Sequence, residues 1–504
     1  MPFNKPKSTR SKIPTHEGGA GFKPSPQMEL LLLVSTSLFA GDTFYEKNDE
    51  RVQRLQDLMD RLLKDDPIFV AELAKFARQV LGLRSAPSAM VAHLFWDRNV
   101  PEGLVRDAAF GVWLRGDEHL ETLAYTKMAG WKFRKRLLRA IADRLNQMSP
   151  RALLKYARRE RMFSQADAIR LAHPKPADEA HSLIFEYLSR ENKASPQSIA
   201  FARHVLEEHP TWERIISQEG SSKETWRKVL PHLQGLSLVR NLSNLHRHGL
   251  LEDEEVQGML LRKMMESPHW KIYPYQWLLA LSRGREEGWP STVMMALEEA
   301  IERSVPTSVK GLPEGETLVV VDVSGSMSSR LSEKSEATRV LVAASLGAMV
   351  YRATGGMLVA FDDDLYIIDA SRSDLYLEIV EKITGVGGGG TYLGEALKKV
   401  LPGFEGRRVV ILTDEQVHDN AWSILREWLK QAAERRAYVI NLGGYEPMAT
   451  PERGVVRIGG WSDRILSVIA LFDQRDPIET IRNAQWSILL EEEAEEEEGG
   501  GKEG

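Results

Sequence analysis

The pattern of apolar residues in this chain changes once, at Gly311-Leu312-Pro313, and that single change restricts it to an architecture of two kinds of domain. Over residues 26–305 apolar residues recur at three- and four-residue spacing between short Pro, Gly or Ser breaks, the mark of one amphipathic helix after another. Helices are predicted at 51–63, 67–81, 134–147, 151–161 and 179–190, and nothing in the region alternates as a strand. Breaks such as Asp66-Pro67, Ser149-Pro150 and Lys175-Pro176 suggest stacked helix pairs of HEAT-like type, with a compact irregular helical domain as the alternative because no sequence period stands out.

After the change, strands and helices alternate. Strands are predicted at 317–321, 357–361, 365–369, 408–413 and 438–442, with helices at 333–353, 374–383, 392–400, 420–434 and 462–472. Such alternation specifies an α/β, doubly wound, mostly parallel, Rossmann-like sheet. The expected organisation is therefore a flexible basic N-terminus (1–25), a helical domain (26–310), an α/β domain (314–475) and a disordered acidic tail (491–504).

Composition removes several classes of function. No apolar run among the 504 residues approaches the roughly 18 that a membrane helix needs, and the polar, basic N-terminus lacks the apolar segment of a secretory signal. No membrane role and a cytoplasmic location are the resulting expectations. The chain has no cysteine, so any metal must be held by oxygen or imidazole.

The first α/β strand ends in Asp322-Val323-Ser324-Gly325-Ser326, a D-x-S-x-S loop. In an open α/β sheet the loops at the carboxyl ends of the strands converge on the ligand crevice. Two further loops of this kind carry oxygen ligands: Thr391 follows the run Gly387 to Gly390, and Asp414 ends the strand 408–413. Hydroxyls with few carboxylates suit magnesium or another hard divalent cation. If the two carboxylates act through water, the ion keeps positive charge and an open position for an outside carboxylate. This constellation, and the element order of residues 314–475, resemble the von Willebrand factor A domain with its metal-ion-dependent adhesion site (MIDAS). As alternatives, Asp322 could be the nucleophile of a haloacid-dehalogenase-type phosphatase, although that motif wants an aspartate where Ser324 stands. The glycine run could cradle a phosphate, although a turn needing positive φ is the plainer use. Asp362, Asp363 and Asp364 read as a solvated turn.

The whole chain carries a net charge of −6, but residues 491–504 hold eight acids and one lysine. The remaining body has a net charge of +1, and residues 131–175 contain thirteen Lys or Arg against three acids. On the helix predicted at 151–161, Arg151, Lys155, Arg158 and Arg159 fall on one face. Lys132, Lys135, Arg136 and Arg139 precede them, and Arg170, His173 and Lys175 follow. A solvated helix face would intersperse acids. Like-charge crowding of this degree is more easily explained by a polyanionic partner bound through phosphates, with no recognition helix or zinc module to read a DNA groove; from charge alone a membrane surface or an acidic protein is the alternative. His173, standing alone before Pro174, reads from sequence as a cap or packing residue, and Trp270, Tyr273, Tyr275 and Trp277 read as core aromatics.

A helical-repeat region followed by an A domain resembles the Ro autoantigen family, whose RNA-binding module is called TROVE. Residues 155–159 (KYARR) with 168–176 (AIRLAHPKP) are similar to that family's basic segment and its Leu-x-His-x-Lys-Pro signature. Residues 238–242, 249–251, 272–275 and 278–281 carry further similarity, and Gly18 to Ala20 and Asp42 to Glu46 a weaker one. The chain differs by one extra residue around Arg159 to Arg161, and has Tyr273 and Tyr275 where relatives often have His and Phe.

The resemblance implies a bacterial-type Ro protein: a monomeric helical ring closed by the A domain, without enzymatic activity. Such a protein holds small noncoding Y RNA on an outer basic surface, takes single-stranded 3' ends of misfolded RNA into a central hole, and acts in RNA quality control. Lys155, Arg159 and His173 match the family's RNA-contacting positions, with Arg158, Arg161, Arg170 and Lys175 as neighbours. An exoribonuclease such as polynucleotide phosphorylase is an implied partner. The competing expectation is a protein-interaction scaffold that docks an acidic partner on the metal site.

Overall fold

The computed structural model describes residues 12–14, 20–22, 25–35, 48–157, 162–190, 193–265, 272–308, 317–330, 337–414, 421–443, 455–459, 465–473 and 476–484. Short strands β1 (Lys12–Pro14) and β2 (Ala20–Phe22) pair as an antiparallel ribbon within the segment read from sequence as a flexible N-terminus. Beyond them the chain is helical up to Ser308 and α/β from Thr317 onwards. No helix among the described residues is long and apolar enough to cross a membrane.

The chain divides into two compact units, one built on Val52–Ser221 and the other on Ser222–Pro477. In the first, the X-Pro breaks are helix starts. Asp66, Ser149 and Ser195 each accept a hydrogen bond from the backbone N–H three residues on, at 3.2 Å, while the following proline occupies a first-turn position that needs no donor. The helices bury Trp113, whose Nε1–H donates to Thr122 Oγ1 at 2.9 Å, and a paired charge, Arg78 Nε to Glu118 Oε1 at 2.7 Å. His93 and His119 are buried in the same core, where loss of solvent pushes both imidazoles down to about 3.

The second unit centres on a six-stranded sheet, with β3 (Thr317–Asp322), β4 (Gly356–Phe361), β5 (Leu365–Ile367), β6 (Arg408–Thr413), β7 (Arg436–Asn441) and β8 (Val455–Gly459) in the order β5-β4-β3-β6-β7-β8. All pairings are parallel except β4 with β5. Every residue of β3 is buried because both faces are covered. Leu318 and Val320 pack in one core with Leu397, Leu425 and Trp428 from helices Leu393–Val400 and Ala421–Lys430. Val319 and Val321 meet helix Arg339–Thr354, which lies so close at Gly347 that a β-carbon there would stand 2.8 Å from Val321. The helix predicted to begin at 333 thus begins at Arg339, behind the Thr338 N-cap, with residues 331–336 outside the described set. Strand β8 was not predicted, and the helix predicted for 420–434 ends at Lys430.

The same unit includes the helices from Lys223 onwards. Glu302 on helix Ser291–Ser308 ties them to the helices that flank the sheet, pairing with Arg352 Nη1 at 2.6 Å on helix Arg339–Thr354 and accepting the N–H of Tyr376, the first residue of helix Tyr376–Thr384. Compactness therefore divides the chain near Ser221, well before the change of pattern at 311–313.

Candidate metal centre and basic surface

The chain passes from β3 to β4 on one side of the sheet and then to β6 on the other, so the crevice at a topological switch opens beside the carboxyl end of β3. The three predicted loops meet there. Asp322 has no exposure; its Oδ1 accepts the Ser324 N–H at 3.0 Å and its Oδ2 the Thr413 hydroxyl at 2.6 Å. Burial pushes this carboxyl up to about 6, opposed by the Ser324 and Thr413 hydrogen bonds and assisted by the negative charge of Asp414. Ser324 is buried and its Oγ lies 3.2 Å from that of Ser326. Asp414 has no exposure, and Arg339 Nη1 stands 3.0 Å from its Oδ2.

Thr391 reaches the site through the glycine loop. Gly325 N–H donates to Gly389 O and Gly388 N–H to Val323 O, both at 2.9 Å, so the two loops are stitched by backbone bonds. Such closeness excludes a side chain at Gly387, where a β-carbon would lie 2.3 Å from Val323 Cγ2 and 2.9 Å from the Val323 carbonyl oxygen. Gly387 and Gly388 also hold φ of 85° and 113°, which favours glycine. The glycine run thus has the turn-forming use weighed from sequence, and Thr391 leaves it buried.

Asp362 corrects the sequence reading. It is no solvated residue: it is 4% exposed, its Oδ2 accepts the Gly389 N–H and its Oδ1 the Asp364 N–H, each at 2.9 Å, and its carbonyl accepts the Tyr392 N–H at 3.1 Å. Asp363 and Asp364 are exposed, as expected of a turn. A usable signal was present, since Asp362 directly follows β4, a strand adjacent to β3, where the crevice rule places ligand-loop residues.

The donors fit a hard divalent cation. Two buried carboxylates and two serine hydroxyls at the ends of β3 and β6, with the Thr391 hydroxyl from the loop between helices Tyr376–Thr384 and Leu393–Val400, are all oxygen, and no group of three or more His, Asp or Glu able to hold a metal by themselves exists among the described residues. Any ion at this crevice would rely on the hydroxyls.

The basic residues divide by what their side chains already hold. Lys132, Lys135, Lys155, His173 and Lys175 are exposed. Arg136, in contrast, is structural: its guanidinium donates to Phe95 O at 2.9 Å and Val100 O at 3.0 Å, and also to Leu94 O and Asp97 O, satisfying the carbonyls that end helix Ser85–Trp96. Arg139 is exposed but pairs with Glu102 at 3.3 Å. Arg170 Nη2 donates to Ser189 O at 2.6 Å, tying helix Gln165–Ala172 to helix Glu179–Arg190. Sequence reasoning passed over Arg98 and Arg134, which with Lys135 and Arg139 line a surface cleft of about 540 Å³. The Arg134 guanidinium lies 4.2 Å from the Trp96 ring centre, and Trp96 stacks on Trp131 at 5.2 Å.

The helix predicted at 151–161 is a second correction. It runs only Pro150–Lys155, because the Tyr156 ring packs on Gly116, where a β-carbon would be 2.4 Å away, under the Arg115 guanidinium at 5.4 Å. The cationic stripe therefore does not continue along one helix. Arg158, Arg159 and Arg161 lie outside the described residues, as do Trp270 and the tail 491–504. Trp277 is buried core, as expected.

His173 both caps and is exposed. Its N–H donates to Ile169 O at 2.9 Å to close helix Gln165–Ala172, with φ 47° and ψ 55°. Among the described residues it is the one non-glycine in the left-handed region, a place usually given to Gly. Asn146 fixes the chain beyond it, donating to Lys175 O and accepting the Ala177 N–H, each at 2.9 Å.

Residues 175–287 match the TROVE domain family, and residues 317–416 match the von Willebrand factor type A domain family, whose matched segment contains all five metal candidates. The fold is similar to the crystal structure of the Deinococcus radiodurans Ro (Rsr) protein, with a TM-score of 0.69 and 19% identity over 89% of this chain and 100% of that one.

Proposed function

We propose that this chain, which carries a TROVE domain and a von Willebrand factor type A domain in the fold of a bacterial Ro protein, is a non-enzymatic RNA-binding protein. It holds small structured Y-like RNA through phosphates on the basic face of residues 131–175, takes single-stranded 3' ends of misfolded RNA into a central hole, and acts in the cytoplasm in RNA quality control, with an exoribonuclease as a partner. The observation that carries the reading is His173. A non-glycine residue kept in a left-handed cap position, with its ring exposed between Arg170 and Lys175, is held there at a conformational cost that a side chain used in binding explains. Lys132, Lys135, Lys155 and Lys175 are exposed cations in the same stretch of the chain.

In this reading Ser324, Ser326 and Thr391 hold magnesium, or another hard divalent cation, through their hydroxyls, with Asp322 and Asp414 as the carboxylates of the site. When bound, the ion supplies a Lewis-acidic position for an outside carboxylate. The chain's own residues shape the crevice and bury both carboxylates. The scaffold reading draws on that same position and predicts an acidic partner in place of RNA.

Sequencing the RNA that co-purifies with the protein tests the proposal. Enrichment of small structured RNA, lost when Lys155, Arg159 and His173 are replaced by Ala, is the expected result. Recovery of no RNA above background would favour the scaffold.

A further inference from the structure

The metal crevice contains a cation of its own. Arg339 opens helix Arg339–Thr354, and its N–H donates to Ser329 O at 2.9 Å, so the backbone that carries it is fastened to the exit of the D-x-S-x-S loop. Its guanidinium places Nη1 3.0 Å from Asp414 Oδ2, a carboxylate with no exposure, while the arginine side chain is itself only 15% exposed. Its Nε is buried without a hydrogen-bond partner, so the fork is incompletely satisfied where it stands. Asp322, equally buried, shares the crevice.

We propose that Arg339 is a built-in competitor of the divalent cation, neutralising Asp414 when no metal is bound and giving up that carboxylate when metal enters. The inference rests on the metal reading above. Without a counter-charge, two buried carboxylates in one crevice would destabilise the metal-free fold. A guanidinium on Asp414 removes part of that cost. A divalent ion together with the guanidinium would bring two cations to one buried carboxylate, Asp414, in a place with little water, so each cation disfavours the other. Arg339 occupies Asp414 Oδ2, so that oxygen is closed to an ion or its waters while the pair stands. The site is thereby tuned to bind metal more weakly than its oxygen donors alone would, and to remain folded when metal leaves.

Calorimetric titration of the full chain with magnesium chloride tests this on the wild type, Arg339→Met and Arg339→Lys. Arg339→Met should bind magnesium about ten- to a hundredfold tighter than the wild type, the change that corresponds to loss of one charge-assisted hydrogen bond. It should also melt at a lower temperature in a chelator and gain more from magnesium. Arg339→Lys keeps the charge without the fork, so it should fold like the wild type and bind magnesium several-fold tighter, which keeps the test usable if the methionine variant fails to fold. Equal or weaker magnesium binding in both variants would overturn the competitor role and leave the metal reading standing. If neither the wild type nor the variants bind magnesium up to millimolar concentration, both readings fail.

Discussion

The backbone N–H of Gly389 donates to Oδ2 of Asp362 at 2.9 Å, and this bond fastens the glycine loop to the end of a neighbouring strand. Replacing Asp362 with Ala removes a buried charged acceptor from two backbone donors, Gly389 and Asp364. The expected loss is about 2–4 kcal/mol in urea denaturation, with weaker magnesium-dependent stabilisation because the glycine loop that carries Thr391 is no longer fastened at Gly389.

Gly387→Ala introduces a β-carbon 2.3 Å from Val323 Cγ2 at a residue with φ 85°. It should destabilise the α/β unit by at least about 2 kcal/mol. Gly403→Ala, where nothing lies within 4 Å of the new carbon, is the control and should melt like the wild type.

Asp322→Ala should abolish the rise in melting temperature that magnesium gives the wild type. The same rise in the variant would count against the proposed site.

Arg136 and Lys135 are neighbours with opposite expected behaviour. Lys135→Ala should leave stability within about 0.5 kcal/mol and lower the slope of log affinity for RNA against log salt by about 0.7 to 0.9. Arg136→Ala strips donors from the end of helix Ser85–Trp96 and should cost about 2–3 kcal/mol in chemical denaturation.

His173→Gly relieves the left-handed backbone and should raise stability by up to about 1 kcal/mol while weakening RNA binding. A gain in stability with unchanged RNA affinity would show that the ring contributes nothing to binding.

His93 and His119 give the helical unit a definite pH dependence. Both have folded pKa values of about 3, below the ordinary 6.5, so each contributes stability that is fully present above pH 6.5 and is lost as pH falls toward 3. Each buried histidine should remove about 1.4 kcal/mol per pH unit below 6.5. Urea denaturation at pH 7.5, 6 and 5 measures the slope, and His119→Gln should reduce it.

Much of the metal crevice was legible because its determinants are local. Apolar strands followed at once by Asp322 and Asp414 place these candidate ligands at strand ends through backbone grammar alone, and the glycine run marks the helix-to-helix loop that carries Thr391. Asp362 was not legible, since three consecutive aspartates look like a turn, and which of them is buried depends on the glycine loop packing on it.

The basic face divided differently. Its charge excess is a property of composition, but what each cation does is set by distant partners. Arg136 is absorbed by carbonyls near residue 95, and Arg170 by Ser189. The short helix Pro150–Lys155 ends where it does because Gly116 admits the Tyr156 ring.

By itself the sequence determined the change from helical to α/β construction, the order of strands β3 to β7, and which oxygen-bearing residues are candidates for the crevice, because periodicity and strand-end position act over a few residues. Only the tertiary structure decided where the compact units divide, which cations remain exposed, and that Arg339 stands on Asp414, because these depend on contacts between segments far apart in the chain.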